Sequence, residues 1–206
     1  MSGDREIRIK KMLGQIITDI LYYAVHYGAA AVAAGVLSVL AADGIKKRSA
    51  LGKIYIGALS AYIFMIIELT LLSREPGICQ TVDLTMFDVS PLLPVLYIAH
   101  YLENLLMLMP FGFLLPLGIK LFRNPVFGMT AGLFVSSGIE FSQYFTQLGT
   151  FALDDILTNS IGSAIGFIAF VMMKKLYEMF RSIPVISGSR RETFQVQSRG
   201  NGLYLA

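Results

Sequence analysis

Charge is scarce in this chain of 206 residues. Asp, Glu, Lys and Arg make up 15% of it, while 55% is hydrophobic. A water-soluble domain carries about 25% charged residues, so composition argues against an ordinary soluble globule. Cysteine occurs once, at Cys79, which excludes an intramolecular disulfide and leaves an idle loop thiol as the plain reading. Histidine occurs only at His26 and His100, and His100 with Glu103 is a poor match to zinc spacings such as H-E-x-x-H. There is no C-x-x-C, no P-loop and no G-x-S-x-G, so no metal and no cofactor is expected, and serine nucleophile chemistry has no support.

What is present is long apolar runs. A helix that crosses a bilayer needs ~20 mostly apolar residues. Runs of that kind are legible at 16–42, 54–72, 96–119, 125–147 and 155–173. The expected fold class is therefore all-α: a polytopic integral membrane helical bundle of about five transmembrane helices. It forms one domain over 1–181, followed by a flexible cytoplasmic tail over 182–206. The first run is too long for a signal-peptide core of ~7–15 residues. Lys46, Lys47 and Arg48 follow it as a cytoplasmic anchor. Residues 5–14 alternate charged and apolar positions and are expected to lie along the membrane surface as a short amphipathic helix.

The net charge of +3 sits in short segments between the runs, which fits topology signals and anionic lipid rather than nucleic acid. With the N-terminus outside, twelve Lys and Arg fall inside and five outside, so the positive-inside rule favours N-out and C-in. The basic N-terminus dissents. If the first run does not fully cross, that terminus is inside and the other four spans keep their direction. The long external connection, 73–95, reads equally well as a lid over the bundle or as a solvated loop.

Alternation of span direction then sets the depth of every polar residue. His100, Glu103 and Asn104 come early in the third span, Glu140 and Gln143 late in the fourth, and Asp154, Asp155 and Asn159 early in the fifth. Glu68 and Arg74 lie at the outer end of the second, and Asp19 joins them if the first crosses fully. All lie within roughly 5–12 Å of their helix ends at 1.5 Å per residue. Each set also shares a helix face, by spacings of three or four residues. A charge at membrane depth costs about 2.5–3.5 kcal/mol on insertion scales, so such groups turn inward. The expectation is a polar pocket bounded mainly by the third, fourth and fifth spans and open toward the outer leaflet. Gly162-x-x-x-Gly166 is a close-packing pattern for membrane helices. Pro110, which removes a backbone donor, makes a kink in the third span the expectation.

The segments LTLLSR (69–74), ENLLMLMPFGFLLPL (103–117), GIEFSQYF (138–145) and DDILTNSIGSAIG (154–166) together resemble the VanZ-like family of bacterial membrane proteins. Arg74, Asn104, Pro110, Gly112, Glu140, Gln143, Asp155, Asn159 and Gly162 match that pattern. Leu148 and Ala152 stand where family members often have an Arg and an Asp. The resemblance implies the bacterial cell membrane, multi-pass, with the C-terminus cytoplasmic, and a role in low-level resistance to teicoplanin-type lipoglycopeptides.

Three functions compete. The first is binding: Arg74, His100, Glu103, Asn104, Gln143 and Asn159 would hold a membrane lipid, a lipoglycopeptide or a lipid-linked wall precursor. The second is catalysis, with Glu140 and Asp155 as an acid/base pair on a lipid head group or such a precursor. Transport ranks below both, because the charges gather at one side and no inverted repeat is present. Beside all three stands a purely structural reading, in which these groups only hydrogen-bond across helices.

Overall fold

The computed structural model describes residues 2–77, 81–87 and 94–182. Its frame is five helices: α1 (Ser2–Ile45), α2 (Ala50–Ile67), α3 (Pro94–Gly118), α4 (Pro125–Thr146) and α5 (Leu153–Ser182). Two-residue strands, β1 (Val82–Asp83) and β2 (Phe151–Ala152), pair in parallel. Cys79 and residues 183–206, where the tail was expected, lie outside the described residues.

The helix boundaries have local causes. Asp43 closes the α1–α2 turn by accepting the Arg48 amide at 3.0 Å and pairing with Lys53 at 2.7 Å. Ser49 caps α2 by accepting the Gly52 amide at 3.2 Å. Pro125 opens α4 behind Asn124, which accepts the Val126 amide at 2.9 Å. At the other end of α4, Gln147 adopts φ 59° and lets the Leu148 amide return to the Gln143 carbonyl at 2.9 Å. Helix α3 continues through Pro110 and Pro116 to Gly118. Its end is closed by Arg123, which donates to the carbonyls of Pro116 and Leu117 at 3.0 and 3.2 Å.

Glycine sets how the helices meet. A Cβ at Gly162 would lie 2.0 Å from the Leu105 carbonyl oxygen, and one at Gly166 would lie 1.9 Å from that of Met109. From the other side, a Cβ at Gly112 would fall 1.8 Å from the Ser163 oxygen. Backbone therefore touches backbone, and only glycine fits. Because 162 and 166 meet 105 and 109 in the same order, α3 and α5 run parallel. Gly128 lies against Phe167 and Gly132 against Ser163, so α4 runs antiparallel to α5. Tyr55 against Gly118 and Tyr62 bonded to the Met107 carbonyl make α2 antiparallel to α3. Gly35 against Gly57, with Asp43 against Lys53, makes α1 antiparallel to α2. Direction alternates through all five helices. Ile66, Leu108, Phe111, Leu115 and Ala131 form the buried apolar core between them.

Two expectations change. Residues 5–14 are not a separate surface helix, because α1 is one helix from Ser2 to Ile45. It packs antiparallel against α2 as part of the bundle. Four segments are long and apolar enough to cross a membrane: Ile9–Ile45, Ala50–Leu72, Tyr97–Gly118 and Leu153–Ser182. Helix α4 is not among them on composition, although its 22 residues reach about 33 Å. The reason is that it buries Ser136, Glu140 and Gln143 inside the bundle. A helix enclosed by neighbours need not be apolar on every face. Large side chains such as Val25, Val32, Phe134 and Phe145 are exposed on the outside, as a lipid-facing surface requires.

Candidate functional site

The end of the bundle where α2 and α4 finish and α3 and α5 begin encloses a cavity of about 570 Å³. Arg74, His100, Glu103, Asn104, Glu140, Gln143, Asp155 and Asn159 all line it. Its deeper wall is apolar, with Tyr62, Ile66, Leu106, Met107, Pro110 and Ile139. The cavity therefore has a polar end and a greasy end. It shares Tyr23, Leu69 and Arg74 with a hollow of about 490 Å³ lined by Ser73 to Gly77.

Each polar group has a local reason for its place. Asp155 lies in the first turn of α5, and its Oδ1 accepts the Asn104 amide at 2.8 Å and contacts His100 Nε2 at 2.9 Å. Asn104 and His100 are four residues apart, one helical turn, so both reach the same oxygen. Glu140 is 2% exposed, and its Oε2 accepts the backbone N–H of Ala152 in β2 at 2.9 Å. Gln143 is 3% exposed and donates to the Thr70 carbonyl at 2.8 Å. That carbonyl is available because 68–72 form a π-helical turn, closed by the Ser73 amide on the Glu68 carbonyl at 2.9 Å. Single π turns widen a helix and release a carbonyl, and they are frequent at functional sites. Asn159 is 2% exposed, and among the described residues its Oδ1 has no hydrogen-bond partner, nor has the buried Oε1 of Glu103.

Arg74 stands at the rim, with Nη1 3.1 Å from where a Cβ on Gly149 would lie. Its guanidinium thus covers the α4–α5 turn beside Leu148, the loop in which the expected pattern has an arginine. Among the described residues, no carboxylate is within salt-bridge distance of Arg74. Nor, among them, do three His, Cys, Asp or Glu side chains gather in a metal-holding group.

The described part of the 73–95 connection is tied to this end. Phe151 donates its amide to the Thr81 carbonyl at 3.0 Å, and Gly77 donates to Gln147 at 3.2 Å. Thr81 and Thr150 hydroxyls lie 2.8 Å apart, and Phe87 packs edge-on to Tyr101. The side chain and backbone N–H of Thr85 both bond Asp83 and hold its carboxyl below the ordinary carboxylate range. The described part of the connection is thus pinned over the cavity end rather than free.

Some residues differ from expectation. The cavity is bounded by all five helices, not mainly by three, since α1 supplies Asp19 and Tyr23, α2 supplies Tyr62 and the π turn that follows it supplies Thr70. Nothing in the local pattern marks Tyr23, Tyr62 or Thr70, whose places depend on how helices are rotated against each other. Glu68 does not line the cavity, because the π turn rotates it aside. Asp154 does not either; its Oδ1 accepts the Asp155 amide at 3.0 Å.

The family model for VanZ/LLP1 matches residues 55–174, more than half of the chain. No curated protein and no solved structure matches it.

Proposed function

The chain belongs to the VanZ/LLP1 family of membrane proteins, and from that premise we propose that it binds an amphipathic molecule at the outer leaflet of the bacterial cell membrane. The head of the ligand sits among Arg74, His100, Glu103, Asn104, Gln143 and Asn159. Its chain lies along Tyr62, Leu106, Met107 and Ile139. Binding a lipid, a lipid-linked wall precursor or the acyl part of a lipoglycopeptide there would support low-level resistance to teicoplanin-type compounds. The observation behind this reading is the single cavity that is polar at one end and apolar at the other. A site for an amphiphile needs that division, while residues that merely pin helices together need no cavity.

The polar end faces outward on this reading. Lys46, Arg48 and Lys53 are at the opposite end, where the positive-inside rule puts the cytoplasm. The C-terminus then lies inside, since α5 starts at the polar end. Native mass spectrometry of the purified protein tests the binding directly. Retained lipid, lost in Asn159→Leu at unchanged abundance, supports the reading, and a protein that retains no amphiphile under mild detergent sinks it.

A second reading, catalysis on a lipid head group, draws on one observation. Asp155 holds the His100 imidazole at 2.9 Å beside the cavity, an arrangement that orients a general base, and Glu140 is enclosed nearby as an acid. Here Glu140→Gln and Asp155→Asn should abolish turnover of the lipid while membrane abundance stays normal.

A further inference from the structure

Two buried oxygens at the polar end of the cavity lack a donor among the described residues, while the guanidinium of Arg74 stands at the rim. Asp155 is answered by Asn104 and His100, and Glu140 by the Ala152 amide. Asp19 accepts the Gln15 side-chain amide at 3.1 and 2.8 Å, and Glu103 faces Asp19 from α3. Among the described residues no cation pairs with either of them. Among the described residues, the buried polar atoms of the cavity that lack a hydrogen bond are the Oε1 of Glu103 and the Oδ1 of Asn159, and both are oxygens of acceptor type. Asn159 is 2% exposed, so bulk water does not reach it freely. A buried acceptor left unpaired costs about 1–3 kcal/mol.

From this imbalance we propose that the head group bound here carries a primary ammonium as well as a phosphate, as in an aminophospholipid. The proposal rests on the amphiphile-binding reading above. An ammonium has three donors and no acceptor. It can donate to the unpaired oxygens of Glu103 and Asn159 and brings positive charge beside Glu103. The phosphate lies at Arg74 on the rim, where a guanidinium without a carboxylate partner among the described residues can take two of its oxygens. An anionic head group without an ammonium brings further negative charge to Glu103 and Asp19, and the pocket would discriminate against it even where its hydroxyls can donate.

The test uses the full chain in mild detergent, stripped of lipid and offered defined lipids singly, with retention read by native mass spectrometry. The probes are phosphatidylethanolamine, its N-acetylated form, phosphatidylglycerol and glycerophosphoethanolamine without chains. The N-acetylated lipid keeps phosphate and chains but loses the ammonium. One charge-assisted hydrogen-bond set predicts that phosphatidylethanolamine is retained about tenfold better than either the acetylated form or phosphatidylglycerol. Glu103→Gln should bring those ratios to near one, while Arg74→Ala should weaken all three phospholipids together. Equal or better retention of phosphatidylglycerol or of the acetylated lipid overturns the ammonium proposal and leaves amphiphile binding intact. Retention of none of the phospholipids overturns the ammonium proposal and removes phospholipids from the amphiphile-binding reading. Equal binding of the chain-free compound would place the recognition in a free head group and overturn the assignment to a lipid.

Discussion

Asn104 on α3 donates to the Oδ1 of Asp155 on α5 at 2.8 Å, and His100 reaches the same oxygen at 2.9 Å. One carboxylate oxygen thus joins two parallel helices at the mouth of the cavity. The helices themselves are held further in by the close approach of Gly162 to the Leu105 carbonyl. The polar contact and the close approach depend on each other. At a normal interhelical distance, with a larger residue at 162, the short Asn104 side chain would not span the gap.

Asn104→Ala should destabilise the protein by about 0.6–1.7 kcal/mol, the range for hydrogen bonds between membrane helices. Asn104→Asp should cost more, because it faces Asp155 with a second carboxylate. Thermal melting in one detergent checks both. An Asn104→Ala protein that melts with the wild type would mean that the contact is idle.

Gly112→Ala, Gly162→Ala and Gly166→Ala should each cost about 1–3 kcal/mol or more, since each added methyl meets a carbonyl oxygen rather than a movable side chain. Gly138→Ala on α4 meets nothing within 4 Å and should leave stability unchanged or raise it slightly. Ranking these four variants by melting temperature tests the packing, and a destabilised Gly138→Ala beside a tolerated Gly162→Ala would contradict it.

Glu140 bonds the Ala152 amide, which gives its carboxylate a structural task whatever else it does. Glu140→Gln keeps an acceptor and should leave the β1–β2 pairing in place. Glu140→Ala leaves that amide unpaired and should speed amide exchange at Phe151 and Ala152. Hydrogen exchange over 81–87 and 148–152 separates the two, and equal protection in both variants would remove the role.

Sidedness has a simple test in a Cys79→Ser background. Thr85→Cys is exposed at the polar end and Lys46→Cys is exposed at the other. A membrane-impermeant maleimide added to intact cells should label the first and spare the second. The reverse pattern would turn the cavity toward the cytoplasm and remove the outer-leaflet part of the proposed function.

Much of the site was legible because two rules act on the sequence at once. Alternating helices fix depth, and the cost of burying charge in lipid fixes facing. Together they bring Asn104, Glu140, Gln143, Asp155 and Asn159 to one level without knowledge of any contact. The same rules over-reached at Glu68 and Asp154. Both sit at the right depth, but a π turn and a local hydrogen bond turn them aside. Tyr23, Tyr62 and Thr70 escaped notice because a tyrosine or threonine in an apolar helix has no signature of its own until a neighbour's rotation is known.

By itself, then, the sequence determined the helical class, the order of the spans and the depth of their polar residues, because hydrophobic run length and insertion cost are properties of single segments. Only the tertiary structure decided that α1 completes the wall with Asp19, that Thr70 offers a free carbonyl to Gln143, and that Arg74 lies over Gly149. Those relations depend on how far each helix is turned and how closely it is approached. Such angles and distances are set by partners distant in the chain, through glycine contacts that local periodicity does not encode.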